Sequence, residues 1–135
     1  MQRGGTGEDL GATGDLDITG TLSLAGAGVG QTIINGNQND RVFDIHAGAS
    51  GVLISNLTIS HGQTSDTNSS GRGGGGVRNR GNMRLLQATV TDNGAVGGRD
   101  LASSDGNLAG DAECLGGCRP AALFPMNYKR GPARN

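Results

Sequence analysis

Residues 52–62 read VLISNLTISHG and residues 83–93 read MRLLQATVTDN, with the same alternation of apolar and small polar side chains. The aligned apolar pairs are Ile54 and Leu85, Leu57 and Ala88, and Ile59 and Val90. Strict alternation over such short stretches is typical of half-buried β-strands. The chain therefore repeats a unit of short strands, and this repeat decides the fold.

The same pattern extends over residues 15–95, which divide into three units. The units cover residues 15–36, 41–62 and 75–94, and Gly, Asn and Asp occupy the breaks between strands. These residues tolerate the positive φ of tight turns. The strands are predicted at 16–18, 22–24 and 32–34, at 43–45, 52–54 and 57–59, and at 77–79, 83–85 and 88–90.

Composition limits the kind of core that the chain can build. Gly accounts for 27 of the 135 residues, about three times its usual share. Trp is absent, Tyr occurs once and Phe twice, so small aliphatic side chains must fill the interior. Collagen is excluded, because Gly shows no spacing of three and Pro occurs only three times.

Short strands in recurring units, with no helical segment between them, predict an all-β parallel β-helix of about three turns. An antiparallel meander or sandwich is the alternative, and it explains the alternation and the Asn35-Gly36 turn equally well. It does not explain why the order of strands recurs in each unit. The β-helix predicts an inner ladder made of Leu16, Ile18, Leu24, Phe43, Ile45, Ile54, Leu57, Ile59, Leu85 and Val90.

The remaining segments carry no repeat. Residues 1–14 are Gly-rich and polar and predict an irregular start, and residues 64–76 form a polar Gly/Ser-rich insertion between the second and third units. Residues 96–135 lose the alternation and predict an irregular or disordered tail with few contacts to the turns. Cys114 and Cys118 in this tail are expected to be two thiols or a local disulfide, since zinc would lack ligands.

The pieces GDLDITG at 14–20, TIINGN at 32–37 and RVFDI at 41–45 resemble the β-helix domains of large bacterial surface and secreted proteins. These domains belong to the pectate-lyase-like superfamily and include those of polymorphic outer-membrane proteins. The resemblance spans about residues 7–95. It implies a right-handed β-helix, and a full-length parent located outside the cell, in the outer membrane or at the cell surface.

The chain departs from this family in ways that predict a fragment. Val77-Arg78-Asn79 stands where the family usually has Ile-Tyr-Asn, and the tail lacks family character. The opening MQRGGTGEDLG has no apolar segment of a signal peptide. A truncated or frame-altered reading frame without independent function is therefore one alternative.

The strand assignment makes Asp17, Asp44 and Arg78 equivalent outward positions of successive units, and this column is the candidate binding site. With Asp15, the two acids could serve as calcium ligands and Arg78 as the base of a lyase. The other interpretation, which we favour, is a solvated column in which Arg78 offsets the repulsion between carboxylates. Under this favoured interpretation, the column contains no catalytic residue and binds no metal. The lyase motif Arg-x-Pro-x-x-Arg is only approximated by RGPAR at 130–134.

The two histidines and the overall charge narrow the function further. His46 and His61 follow predicted strands and are expected at exposed corners. Net charge is −1 with no basic cluster among aromatics, so nucleic acid is not an expected partner. No apolar run approaches the roughly 18 residues that span a bilayer.

The sequence therefore predicts a non-catalytic scaffold from a bacterial cell-surface or secreted protein, with adhesive or glycan-facing outer strands. Its expected partners are a polysaccharide or a host cell-surface glycan, and further copies that associate through the open ends of the solenoid. No cofactor is expected beyond the calcium considered above. The alternative is a fragment of a polysaccharide lyase or glycoside hydrolase.

Overall fold

The structure is a computed structural model that describes residues 14–64, 74–95, 99–103, 107–114 and 117–120, with Ala95 and the last three ranges as backbone alone. Within these ranges the chain is all-β and contains no helix. The predicted irregular start before Gly14, most of the predicted insertion and the last fifteen residues lie outside the described part.

The strands follow the three predicted units. The first unit contains β1 (Leu16–Ile18), β2 (Leu22–Ala25) and β3 (Ile33–Asn35). The second contains β4 (Phe43–Ile45), β5 (Val52–Ser55), β6 (Thr58–Ser60) and β7 (Gln63–Thr64). The third contains β8 (Val77–Asn79), β9 (Asn82–Thr91) and β10 (Gly94–Ala95). The strands that follow are β11 (Arg99–Ser103), β12 (Asn107–Cys114) and β13 (Gly117–Pro120).

Equivalent strands of successive units pair side by side. One sheet has the order β1-β4-β8-β11-β13, and in the second the long β9 pairs with both β5 and β6, which pair in turn with β2 and β3. Strand β12 adds to β9, and β7 pairs with β10. Every pairing among the described strands is parallel, which excludes the antiparallel meander or sandwich.

The register agrees with the alignment of the two sequence stretches. Ile54 lies beside Leu85, and Ile59 lies beside Val90. Because side chains alternate between the faces of a strand, one shared register places the apolar set of each unit on the same side. This is the physical reason why the chain repeats its alternation.

A single hydrophobic cluster, mostly aliphatic, forms the core of the described residues. Its buried members are Val42, Phe43, Ile45, Ala49, Val52, Ile54, Leu57, Ile59, Val77, Met83, Leu85, Ala88 and Val90. Of the predicted inner ladder, Leu16, Ile18 and Leu24 are only partly buried, since among the described strands the first unit has a neighbour on one side alone. The other predicted members are buried, and this confirms the assignment of the inner face.

The predicted end of regular structure at residue 95 is corrected by β11, β12 and β13. These strands continue the parallel pairing with β8 and β9. Sequence periodicity missed them because the apolar ladder weakens there, with Gly110 in register with Leu85. Backbone pairing needs no apolar side chain, so it leaves no periodic signal. The side chains of Cys114 and Cys118 lie outside the described residues.

The corners between strands use the left-handed backbone region. Asn56, between β5 and β6, has φ 55°, and Gln87 in the middle of β9 has φ 46°. Non-glycine residues pay roughly 1–2 kcal/mol in this region, and Asn less than most because its side chain can hydrogen-bond locally. These bends turn the apolar side chains on both sides of each corner toward the same core.

Part of the glycine content has a packing reason. A Cβ on Gly62 would lie 2.1 Å from the carbonyl oxygen of Gly75, and a Cβ on Gly75 would lie 2.0 Å from that of Gly94. Real Cβ atoms do not approach this closely, so the three backbones can pass each other only without side chains. We call Gly62, Gly75 and Gly94 the glycine stack.

Candidate functional site

The predicted column forms in the first sheet. Asp44 has Asp17 and Arg78 as its Cα partners on the two neighbouring strands. This confirms that the three positions are equivalent. Alternation along β4 places Asp44 on the opposite face from Phe43 and Ile45, which lie in the core.

Asp44 is not solvated, and this corrects the predicted solvated column. Its side chain is 0% exposed because arginines cover it. Arg78 donates from Nε to Oδ1 at 3.0 Å and from Nη2 to Oδ2, and Arg80 donates from Nη2 to Oδ2 at 3.0 Å. Arg41 adds its charge, with Nη1 3.9 Å from Oδ2. The carboxylate is therefore held by three guanidinium groups.

Arg41 is itself buried and links the column to its surroundings. Its Nη1 donates to Asp15 Oδ2 at 3.1 Å, and its Nε donates to the carbonyl oxygen of Gly74 at 3.1 Å. Its Nη2 donates to Thr64 Oγ1 at 3.3 Å. A guanidinium has five N–H donors, and several acceptors offset the cost of burying it.

His46 was expected at an exposed corner, and the structure corrects this. Its side chain is only 25% exposed, with Nε2 lying 2.5 Å from Asp17 Oδ1 and 3.7 Å from Asp44 Oδ2. His61, by contrast, is exposed, has φ 55° and lies after β6 as predicted. Only His46 joins the column.

The column and its charged neighbours form what we call the charged cluster, which consists of Asp15, Asp17, Arg41, Asp44, His46, Arg78 and Arg80. Two of its carboxylates, those of Asp15 and Asp44, differ in their affinity for a proton. Burial raises the pKa of Asp15 to about 7, although the charge of Arg41 opposes this and the neighbouring carboxylates reinforce it. Burial also acts to raise the pKa of Asp44, but the hydrogen bond and charge of Arg78, together with Arg80 and Arg41, outweigh it and lower that pKa. Asp44 therefore stays ionised while Asp15 takes up a proton near neutral pH.

The acidic side chains of the cluster are less exposed to solvent than His46, Arg78 and Arg80. The side chains of Asp15 and Asp44 are 0% exposed and that of Asp17 is 7% exposed. Arg78 is 13% exposed, His46 25% and Arg80 33%. We call His46, Arg78 and Arg80 the cationic patch. The cluster therefore presents hydrogen-bond donors to solvent and keeps its carboxylates underneath.

Three buried polar atoms of the cluster have no hydrogen-bond partner among the described residues. They are Asp15 Oδ1, Asp17 Oδ2 and Arg80 Nε. An unpaired buried polar group costs about 1–3 kcal/mol. The described residues therefore do not supply a hydrogen-bond partner for every buried polar atom of the cluster.

Asp17, Asp44 and His46 are the described residues whose ligand atoms lie close enough together, within 4.8 Å, to hold a metal ion. Their chemistry fits a cation poorly. Both oxygens of Asp44 already accept from arginine, and three guanidiniums would repel a further positive charge. Calcium takes 6–8 oxygen ligands, far more than this cluster offers.

Sequence reasoning missed Arg41, His46 and Arg80. Two of these carried a usable signal, because residues two apart on a strand share a face. His46 follows Asp44 by two positions, and Arg80 follows Arg78 by two. Arg41 lies before β4, where no periodicity predicts its direction.

No family model, curated protein or solved structure matches the chain. The described residues include no helix that is long and apolar enough to cross a membrane.

Proposed function

We propose that the chain is a right-handed parallel β-helix that serves as a non-catalytic scaffold in a bacterial cell-surface or secreted protein, with outer strands available for adhesion. The observation that carries this is the in-register parallel stacking of equivalent strands over one aliphatic core. A stack of this kind presents long outer faces and builds its stability by repetition.

The state of the charged column supports a structural role over a catalytic one. Arg78 would have to lose a proton to act as a base, yet it donates two hydrogen bonds to Asp44. A guanidinium in a protein stays protonated, and an ionised partner reinforces this. Arg78 therefore neutralises buried charge between neighbouring strands.

A second candidate, a polysaccharide lyase, is favoured by one observation. His46 and Asp17 form a close pair at 2.5 Å, and a carboxylate that orients a histidine is a common arrangement for a general base. His46 is also part of the exposed side of the cluster. The neighbouring arginines could then face an acidic substrate.

A lyase assay separates the two candidates. The purified chain is incubated with polygalacturonate and calcium, and unsaturated uronates are followed by absorbance. We expect no product from the wild type. Product that disappears in a His46→Gln variant, but persists in a His61→Gln control, would replace the scaffold with the lyase.

Cell-surface exposure tests the remaining part of the proposal. An antibody raised against the chain is applied to intact cells of the source organism and to the culture medium, before and after protease treatment of the cells. We expect the antigen outside the cell and sensitive to protease. An antigen found only after lysis would contradict the proposed location.

A further inference from the structure

The cationic patch combines two donors that lie next to each other on neighbouring strands. Ile45 and Asn79 are Cα partners, so His46 and Arg80 follow them at adjacent positions, and Arg80 N donates to the carbonyl oxygen of Ile45 at 2.8 Å. Neighbouring strands are about 4.8 Å apart. One carboxylate can therefore reach both side chains.

We infer that the cationic patch is a binding site for the carboxylate of an acidic peptide, with Arg80 and His46 as its contacts. The inference rests on the proposed function, because it names the partner class of an adhesive outer face. It assigns Arg78 the separate task of holding Asp44 in place beneath the patch.

Arg80 has donors to spare for such a ligand. Within the described part of the chain its partner is Asp44, which it contacts through Nη2. Its Nε is buried, so a ligand from solvent would reach the guanidinium through its Nη groups, on a side chain that is 33% exposed. A guanidinium offers five N–H donors in a planar fork that matches a carboxylate in two-point contact. Arg78 already makes such a two-point contact with Asp44 in the same cluster.

The different exposure of acids and cations in the cluster favours an anion as the ligand. Four carboxylates and three guanidinium groups lie together here, because the charge of Asp40 also acts on Asp15, so the net charge by itself does not favour an anion. Proton uptake by Asp15, whose pKa is raised to about 7, removes one negative charge from this set. The carboxylates and Arg41 are buried, whereas the side chains of Arg78, His46 and Arg80 are 13%, 25% and 33% exposed. An approaching anion therefore meets the cations first.

The composition favours a peptide over a sugar. An aromatic ring is a large apolar platform on which a flat ligand face can rest. The chain has no Trp, one Tyr and two Phe, and Phe43, the only one of these within the described residues, is 1% exposed and lies in the core. As far as the described residues show, the patch therefore offers charge and hydrogen bonds, which suit an extended acidic chain.

The probe is a hexaglutamate peptide with both ends blocked, titrated into the chain by isothermal calorimetry at low salt, with hexaglutamine as its neutral counterpart. Three variants accompany the wild type: Arg80→Gln, His46→Gln and Arg84→Gln. Arg84 is an exposed arginine on β9 and serves as the matched control. Circular dichroism confirms that each variant keeps its β signal.

We expect hexaglutamate to bind and hexaglutamine not to bind. Arg80→Gln should weaken binding about tenfold, the effect of removing one charge-assisted contact of about 1.4 kcal/mol. His46→Gln should weaken it by a smaller factor, and Arg84→Gln by less than about twofold.

Any of three results would overturn the inference. These are the absence of hexaglutamate binding to the wild type, an equal loss in Arg84→Gln and Arg80→Gln, or tighter binding of an oligogalacturonate of equal charge, which would make the partner an acidic sugar. These failures are distinct from failure of the scaffold. A chain that binds no peptide but stays extracellular and inactive as a lyase keeps the proposed function.

Discussion

Asp44 and Arg78 are 34 residues apart in sequence and form a two-point ion pair between neighbouring parallel strands. Phe43 and Val77, one position earlier on the same strands, are also Cα partners, and they pack in the core. The same register therefore aligns the apolar ladder on one face and the charges on the other. Slippage by one residue would disrupt both at once.

Replacing Asp44 by Asn should be strongly destabilising. The variant leaves Arg41, Arg78 and Arg80 without the carboxylate that they share, and breaking a buried ion pair from one side costs about 3–5 kcal/mol. Urea denaturation followed by circular dichroism measures the loss. The control, Arg84→Gln, should stay within about 0.5 kcal/mol of the wild type. A similarly small change for Asp44→Asn would show that the network contributes little.

Asp15 should make the chain less stable as pH rises. Its pKa is raised from the ordinary 3.8 to about 7, so between these values the folded chain keeps a proton that the unfolded chain has released. The stability from this proton is complete below pH 3.8 and is lost as pH rises toward 7. Asp44 acts in the opposite direction, since its lowered pKa gives stability that is lost only in acid.

The comparison of wild type with Asp15→Asn isolates this effect. Between about pH 4 and pH 8 the wild type should lose stability relative to the variant, by an amount on the order of a few kcal/mol. Unfolding free energies measured at four or more pH values across this range provide the check. A difference that stays flat with pH would mean that Asp15 is ionised throughout.

The sequence predicted the register of the column but not its burial. Alternation along β4 fixed the direction of Asp44 relative to Phe43, and the repeat fixed its neighbours Asp17 and Arg78. Its complete burial depends on how the side chains of Arg41 and Arg80 fold over it. Such placements follow from rotamers and from competition among acceptors, and a linear pattern does not encode them.

The glycine stack should tolerate no methyl group. In Gly75→Ala the new Cβ would meet the carbonyl oxygen of Gly94 at 2.0 Å, and two backbones would have to move apart. We expect a loss of more than about 2 kcal/mol, in the range of overpacked cores. Gly20→Ala is the matched control, because nothing lies within 4 Å of its Cβ position. Equal stability of the two variants in thermal unfolding would contradict this packing.

Truncating a core side chain should cost less stability in the first unit than in the second. Leu24 and Ile54 are Cα partners, but Leu24 is partly buried and Ile54 is fully buried. Ile54→Ala should cost about 2–5 kcal/mol and Leu24→Ala about half as much. Chemical denaturation of both variants measures the ratio. A larger loss for Leu24→Ala would show that the first unit is covered, for example by a further copy of the chain.

The strands after residue 95 mark the limit of periodicity as a guide. Val90 and Leu85 stand in an apolar ladder, whereas their partners in β12 are Cys114 and Gly110. Without β12, the outer edge of β9 would be unpaired, and its backbone hydrogen-bonding groups would favour the addition of another strand. The exposed backbone groups of the third unit therefore favour the pairing, and the sequence of β12 itself shows little periodicity that would predict it.

The parallel register between successive units is the central claim, and disulfide trapping tests it most directly. In a Cys114→Ser, Cys118→Ser background, Ser23→Cys with Leu53→Cys joins Cα partners on neighbouring strands. Their spacing of about 4.8 Å suits a disulfide. Ser23→Cys with Arg84→Cys is the control, because two strand spacings, about 9.6 Å, are too far.

Mild oxidation followed by mass spectrometry should show a near-complete intramolecular disulfide in the first pair and almost none in the second. Trapping of the control pair, or none in the first, would contradict the stacked parallel fold.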